Sequence, residues 1–454
     1  MSQEQVTVET DESGPLDTFR QFFALKRDVL VLSLAMFAFS LGFQMTSRFL
    51  PKYMVALGAS GFVVGLFGTV GNIISAVFPY PGGAISDRIG SRYALTLFGL
   101  ISTLGFGVWL VAPNLGAFAV AGVTIQPWIW IFVGLLLAQG WKSFGLGATF
   151  AVVKQATDPS QLAAGFASTE TFRRTAFLIG PVLAAVLIGF HPDFTVSFQY
   201  VLAVAVVFGI VGTVAQHLLY DASEDSLGNS FEGVAQIRHD LRNMPAPLRP
   251  LLVGDTLVRF ANGMVYVFFV LVITQFYQVG FETTVSLASF SYAIDLSPEA
   301  FFGYLLGVEM LIALLIMAPA AKIAERVGLK PIVALGFAVY ALFPVVLIGG
   351  PEVLAPVMPL QWAMVLIFAF SGLRFAGLPS HKALIVGPAE AGAAGRVTGT
   401  YYLLRNTVVI PSAALGGYLW EFVSPEIAFT IAAAIGVVGT GYFLAFGKEF
   451  EAYV

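Results

Sequence analysis

The apolar residues of this chain fall into long blocks, and that blocking limits the fold more than any other feature. Crossing the hydrocarbon of a bilayer takes about 20 residues of helix. Runs of that length recur about twelve times, near 29–56, 60–86, 93–113, 127–153, 162–190, 195–220, 248–278, 299–324, 331–349, 359–385, 394–420 and 425–446. A soluble globular chain carries about 25% charged residues; here the figure is 11%, beside 57% hydrophobic residues and a mean hydropathy of +0.84, which argues against an ordinary cytosolic enzyme. The short alternating segments of a transmembrane β-barrel are missing. An all-α polytopic membrane protein is therefore expected. With no cysteine, disulfides and cysteine-ligated metals drop out. His191, His217, His239 and His381 lack ligand spacing, and no phosphate loop or nucleophile motif occurs. No enzyme activity, cofactor, metal or nucleic-acid partner is expected.

Orientation follows from the basic residues between the blocks. With the N-terminus cytoplasmic, the inner connections and tails hold Arg20, Lys26, Arg27, Arg88, Arg92, Lys154, Arg238, Arg242, Arg249, Lys322, Arg326, Lys330, Lys382, Arg396 and Lys448, whereas the outer connections hold only Lys52. Both termini are expected in the cytoplasm, with the chain in the cell (plasma) membrane. The organisation expected is a tail over 1–28, a six-helix bundle over 29–220, a linker over 221–247, a second bundle over 248–446 and a tail over 447–454. In the linker Phe231, Val234, Ile237 and Leu241 recur at helical spacing beside Arg238 and Arg242, as in a helix lying on the inner membrane surface. The outer connection 279–298 reads as a plain loop, with a cap over the outer mouth as the alternative. Ser297, Pro298 and Glu299 form a helix-entry signal for the eighth block.

The chain repeats itself. Gly140-Trp-Lys142-x-x-Gly145-Leu146 matches Gly372-Leu-Arg374-x-x-Gly377-Leu378, Ala163-Ala164-Gly165 matches Ala393-Ala394-Gly395, Pro181 matches Pro411, and Gly65 matches Gly303. The hairpin Gly83–Arg92, read G-A-I-S-D-R-I-G-S-R, is echoed at Ala321–Lys330, which sets Asp87 on Glu325, Arg88 on Arg326, Gly90 on Gly328 and Arg92 on Lys330. Six blocks separate the two hairpins. Two parallel six-helix repeats follow, with a substrate site between them near the midplane.

The pattern G-x-x-x-D-R-x-G-x-R/K resembles motif A of the major facilitator superfamily. That resemblance implies twelve helices in two bundles and a gate on the cytoplasmic side built from Gly83, Asp87, Arg88, Gly90, Arg92, Glu325, Arg326, Gly328 and Lys330, with Arg396 the partner of Asp87. It also implies that the first, fourth, seventh and tenth spans line the central cavity. Proton-driven exporters of the superfamily often carry an arginine three residues before Gln-Gly; Leu136 stands there, ahead of Gln139-Gly140. Their Gly-Pro motif is matched only by Gly180-Pro181.

An ionised side chain in hydrocarbon costs about 2.5–3.5 kcal/mol on insertion scales, so such groups face an interior or a cavity. Away from the block ends stand seven bases, Arg48, Lys142, Arg173, Arg174, Arg259, Arg374 and Arg405, against the acids Glu170, Asp255 and Glu309. Asp255 and Arg259 share a helix face, and Glu170 reaches Arg173 or Arg174 by the same spacing. Lys142 and Arg374 have no acid within helical reach and occupy equivalent places. Under the resemblance they face one another across the cavity and suit an anion; the other reading pairs each with an acid such as Asp255 or Glu309. Arg48, Asp255 and Arg259 are further candidates for substrate contact. Glu309 is the candidate proton carrier, or else the partner of Arg48 or Arg374. The expectation is a secondary active transporter of a small organic or inorganic anion, a monomer sufficing, with a proton or ion as the candidate co-substrate. Proton-coupled drug efflux and a transporter-like sensor without flux are the alternatives.

Overall fold

The computed structural model describes residues 27–78, 85, 88–120, 123–144, 162–220, 244–287, 290–386 and 394–449. Residues 221–243 of the linker, where the interfacial helix is expected, and most of the N-terminal tail lie outside the described residues. The first half contains α1 (Arg27–Thr46), α2 (Leu50–Ala56), α3 (Gly61–Val77), α4 (Ser91–Leu115), α5 (Ile129–Gln139), α6 (Leu162–Ile188) and α7 (Phe194–Leu219). The second contains α8 (Leu248–Val265), α9 (Pro298–Val327), α10 (Leu329–Leu354), α11 (Leu360–Gly372), α12 (Leu378–Val386), α13 (Ala394–Val409), α14 (Ser412–Phe422) and α15 (Pro425–Phe446). Among the described residues, seven helices are long and apolar enough to cross a bilayer, and α1 with α2, bent by 44°, makes an eighth. On α7 the exposed residues Val207, Ile210, Val211, Val214 and Leu218 form one stripe. A surface that apolar suits lipid rather than water.

Local chemistry sets the helix ends. Ser297 caps α9 by accepting from the amide of Ala300 (3.3 Å), with Pro298 at the first turn. Gly90 (φ 83°) and Gly328 (φ 91°) both begin helices in a left-handed conformation that a side chain strains. The glycine common to the two hairpins is thus a backbone requirement.

The connection after α8 is not a plain loop. Phe281–Leu287 and Phe290–Leu296 pair as an antiparallel hairpin, from Phe281 opposite Leu296 to Leu287 opposite Phe290. The segment is rich in Phe, Thr, Val, Tyr and Ile, residues that favour a pleated surface. A smaller hairpin joins Phe118–Val120 to Val123–Ile125 after α4.

The packing is two-fold. Helix α3 lies on α14, and α9 lies on α6; each contact joins the second apolar block of one repeat to the fifth of the other. Gly65 and Gly303, matched in the sequence, are the contact points. A Cβ on Gly65 would stand 2.5 Å from the carbonyl oxygen of Ala413, and one on Gly303 would stand 2.7 Å from that of Pro181. Nearby, the Gly61 amide donates to Glu421 (2.9 Å), the Ala414 amide donates to Thr69 (2.9 Å) and Lys52 pairs with Glu299 (3.1 Å).

The two ends of the molecule differ. At the end away from the termini, one buried apolar cluster draws on both halves, with Phe49, Tyr53 and Phe198 from the first and Phe268, Phe302 and Phe429 from the second. At the end near the termini, among the described residues, the halves keep separate clusters. Val31, Leu95, Phe98 and Trp141 form one, and Leu248, Ala324, Val333 and Phe443 the other. Among the described residues, the buried apolar cluster that both halves share lies at the far end.

Candidate functional site

Three elements of the second half, α8, α12 and α13, meet at Asp255. Its side chain is fully buried on α8. Arg259, one turn later on the same helix, brings Nε to 3.3 Å from Oδ1. From α13, Arg405 Nη1 donates to Oδ2 at 3.1 Å and the Tyr401 hydroxyl donates to it at 3.0 Å. From α12, His381 Nε2 stands 3.1 Å from Oδ2, an ion-pair distance without hydrogen-bond alignment. Arg259 also donates to the Tyr340 hydroxyl on α10 (3.1 Å), and Arg405 to Asn406. One carboxylate therefore serves two guanidinium groups, and the cluster holds at least one net positive charge.

A second pair lies close by. Arg374 occupies a 3-10 turn, Leu373–Gly377, between α11 and α12. Its Nη2 donates to Glu309 Oε1 at 2.6 Å, and Ser371 donates to the other oxygen at 3.1 Å. A Cβ on Gly372 would lie 2.6 Å from the Glu309 carbonyl oxygen, so that glycine permits the helix approach that makes the pair. Arg374 is thereby engaged within its own half, 3% exposed, with the partner that the sequence offered as its alternative.

Lys142 sits in the matching break of the first half, a π turn over Gly140–Phe144. It is exposed, its Nζ lies 5.7 Å from the Phe43 ring, and no carboxylate among the described residues is within ion-pair distance. Arg48 lies in the bend between α1 and α2 with its guanidinium 3.9 Å over the Tyr266 ring. Tyr266 opens a 3-10 turn, Tyr266–Phe268, in the run that continues α8. All four expected cavity-lining spans thus lose regular α geometry near their charged or aromatic residues. Arg174 points at Met317 of the other half, and Arg173 lies 5.9 Å from the Phe177 ring.

Between the halves lies a cavity of about 240 Å³ lined by Gly68 and Asn72 of α3 and by Arg259, Asn262, Gly263, Tyr266, Val267, Arg405, Asn406, Val409 and Ala413 of the second half. No acid lines it. Asp255 stays hidden while the side chains of Arg259 and Arg405 remain 24% and 15% exposed. Of the substrate contacts expected, Arg259 lines this space and Asp255 anchors it from behind. Arg405 is the addition: its own helix offers it no acid, and the carboxylate it meets is 150 positions away.

Of the hairpin residues, Arg92 donates through Nε to the His217 carbonyl at the end of α7 (2.8 Å), while Arg88 and Arg326 are exposed. The amides of Leu329 and Lys330 donate to Glu449 at 3.0 and 2.8 Å. Gly83, Asp87 and the side chains of Glu170, Glu325 and Arg396 lie outside the described residues.

Residues 32–296 match the family model described as Major Facilitator Superfamily, more than half of the chain. The chain belongs to the major facilitator superfamily. Solved structures agree on the fold. A POT family transporter in complex with 5-aminolevulinic acid aligns at a TM-score of 0.68 and 14% identity, covering 94% of this chain and 99% of that one. The nucleoside transporter NupG aligns at 0.67 and 13%, covering 93% and 100%. The peptide transporter POT in complex with sulfate aligns at 0.66 and 14%, covering 95% and 97%. No curated protein matches in sequence. This major facilitator is accordingly an all-α multi-pass membrane protein and a transporter, not an enzyme.

Proposed function

We propose that this protein carries a small organic or inorganic anion across the plasma membrane by alternating access. The observation that carries the reading is the cavity between the halves, which presents two guanidinium groups to its interior and no carboxylate. A low-dielectric space of one sign concentrates the opposite charge. Its volume of about 240 Å³ falls below the roughly 300 Å³ at which drug-sized pockets begin, which favours a compact substrate. Asn72, Asn262 and Asn406 supply neutral donors and acceptors for the rest of it. The seven bases against three acids away from the block ends point the same way.

With both termini in the cytoplasm, as the basic residues favour, the sealed far end is extracellular. Rocking the halves about the cavity then exposes it to the outside. Lys142 is not among the residues that line this cavity and stays a candidate contact of the first half. Glu309 remains the candidate proton carrier; protonation there would release Arg374. Asp87 and Arg396 are assigned to the cytoplasmic gate.

The test is ligand-induced thermal stabilisation of detergent-purified protein. A ligand at about 100 times its dissociation constant raises stability by about 2.7 kcal/mol. Small carboxylates or phosphate should stabilise the wild type, and Arg405→Gln should weaken them about 10- to 100-fold, since a hydrogen bond to a charged group contributes about 1.5–3 kcal/mol. Stabilisation by lipophilic cations, unaffected by Arg405→Gln, would replace this reading with drug efflux.

A further inference from the structure

Arg48 is absent from the cluster around Asp255, yet it faces the same space through one aromatic ring. Tyr266 lines the cavity with Arg259 and Arg405 and is 37% exposed. The Arg48 guanidinium lies 3.9 Å over that ring, and its Nη1 is buried with no hydrogen-bond partner among the described residues. No carboxylate among them is within ion-pair distance of it. A half-buried guanidinium stacked on a π face, with one buried nitrogen lacking a partner, has donor capacity left for a ligand.

The spacing gives the ligand a shape. Seven residues separate Arg259 from Tyr266, which at 1.5 Å per residue is on the order of 10 Å along the helix. Arg405 stands level with Arg259, because both meet Asp255. Two positive centres therefore stand on the order of 10 Å apart, Arg259 with Arg405 on the cavity wall and Arg48 behind the Tyr266 ring that lines it. A carboxylate meets a guanidinium at about 2.8 Å. One carboxylate at each centre leaves room for a short aliphatic spacer. In charge, two arginines less one aspartate leave one positive unit, and Arg48 supplies a second. A monoanion would leave one of these half-buried cations without a counter-charge.

We infer that Arg48 is a specificity-determining contact and that the substrate is a short dianion of the dicarboxylate type. This rests on the anion reading above. One carboxylate sits between Arg259 and Arg405. The other displaces the Tyr266 ring from Arg48 and takes its free donors.

The experiment compares succinate with butyrate, of equal chain length, by calorimetric titration of the purified full-length protein, wild type and variants. Wild type should prefer succinate by at least about tenfold. Arg48→Gln should cost succinate about tenfold and leave butyrate within about threefold, and Arg48→Lys, which keeps the charge, should restore most of the loss; tenfold corresponds to about 1.4 kcal/mol. Equal affinities in the wild type, or a loss in Arg48→Gln shared by both ligands, would overturn the inference while leaving the anion site standing. Failure of the anion reading has a different signature: succinate, butyrate and inorganic phosphate would all be without effect, or indifferent to Arg405→Gln.

Discussion

Leucine in place of Gly65 should hold the far end of this protein apart. The Cβ alone would stand 2.5 Å from the Ala413 carbonyl oxygen and 2.8 Å from the Gly417 Cα, backbone atoms that cannot swing aside. Gly303 repeats the geometry, with a Cβ 2.7 Å from both the Pro181 carbonyl oxygen and the Ala185 Cβ. Overpacking of this kind costs about 1–3 kcal/mol. Here it falls on the far-end-closed state alone, because the contact joins α3 to α14 across the two halves. An equilibrium biased by that amount shifts about 5- to 150-fold. Transport should fall by about tenfold or more through trapping, with substrate still bound. The chain lacks cysteine, so a single Val267→Cys reporter in the cavity wall is clean. Gly65→Leu should raise its labelling by a membrane-impermeant maleimide from the far side about tenfold. Unchanged labelling with transport within twofold of wild type would refute the seal.

Glutamine at Glu309 should be among the most destabilising conservative changes. Arg374 has a side chain 2% exposed, with Nε and Nη1 already lacking partners among the described residues, and Glu309 is its one carboxylate. Removing one member of a buried pair costs about 3–5 kcal/mol, since the other charge stays behind. The melting temperature of Glu309→Gln should drop well below that of an exposed control such as Glu352→Gln. Adding Arg374→Met should recover more than half of the loss, because replacing a buried pair whole is often near neutral. A melting temperature equal to wild type would mean that the pair carries little energy. Glu309 would then be free to take a proton.

Much of the architecture was legible because it follows from periodic physical constraints. Hydrophobic block length predicts the membrane helices. The glycines at 90 and 328 announce tight helix entries, and the match of Gly65 with Gly303 marks two equivalent inter-half contacts. The site was only partly legible. The i, i+4 spacing of Asp255 and Arg259 exposes their pair, since a helix brings those positions together. Arg405, His381 and Tyr401 could not be joined to Asp255 in the same way, because three-dimensional packing brings together helices that are far apart in sequence. Arg374 illustrates the limit from the other side: its own helix offers no acid, but Gly372 lets it approach α9 and meet Glu309. The hairpin 281–296 carried a signal in its β-branched and aromatic residues, masked by the expectation that a connection between membrane helices is irregular.

The most direct test of the central claim is uptake of radiolabelled succinate into proteoliposomes preloaded with unlabelled succinate, comparing wild type with Arg405→Gln at equal incorporation. Wild type should accumulate label, and the variant should do so at a rate at least about tenfold lower, the loss of about 1.4 kcal/mol of substrate stabilisation. Uptake equal in the two proteins, or none for succinate, butyrate and phosphate alike, would contradict an anion path through this cavity.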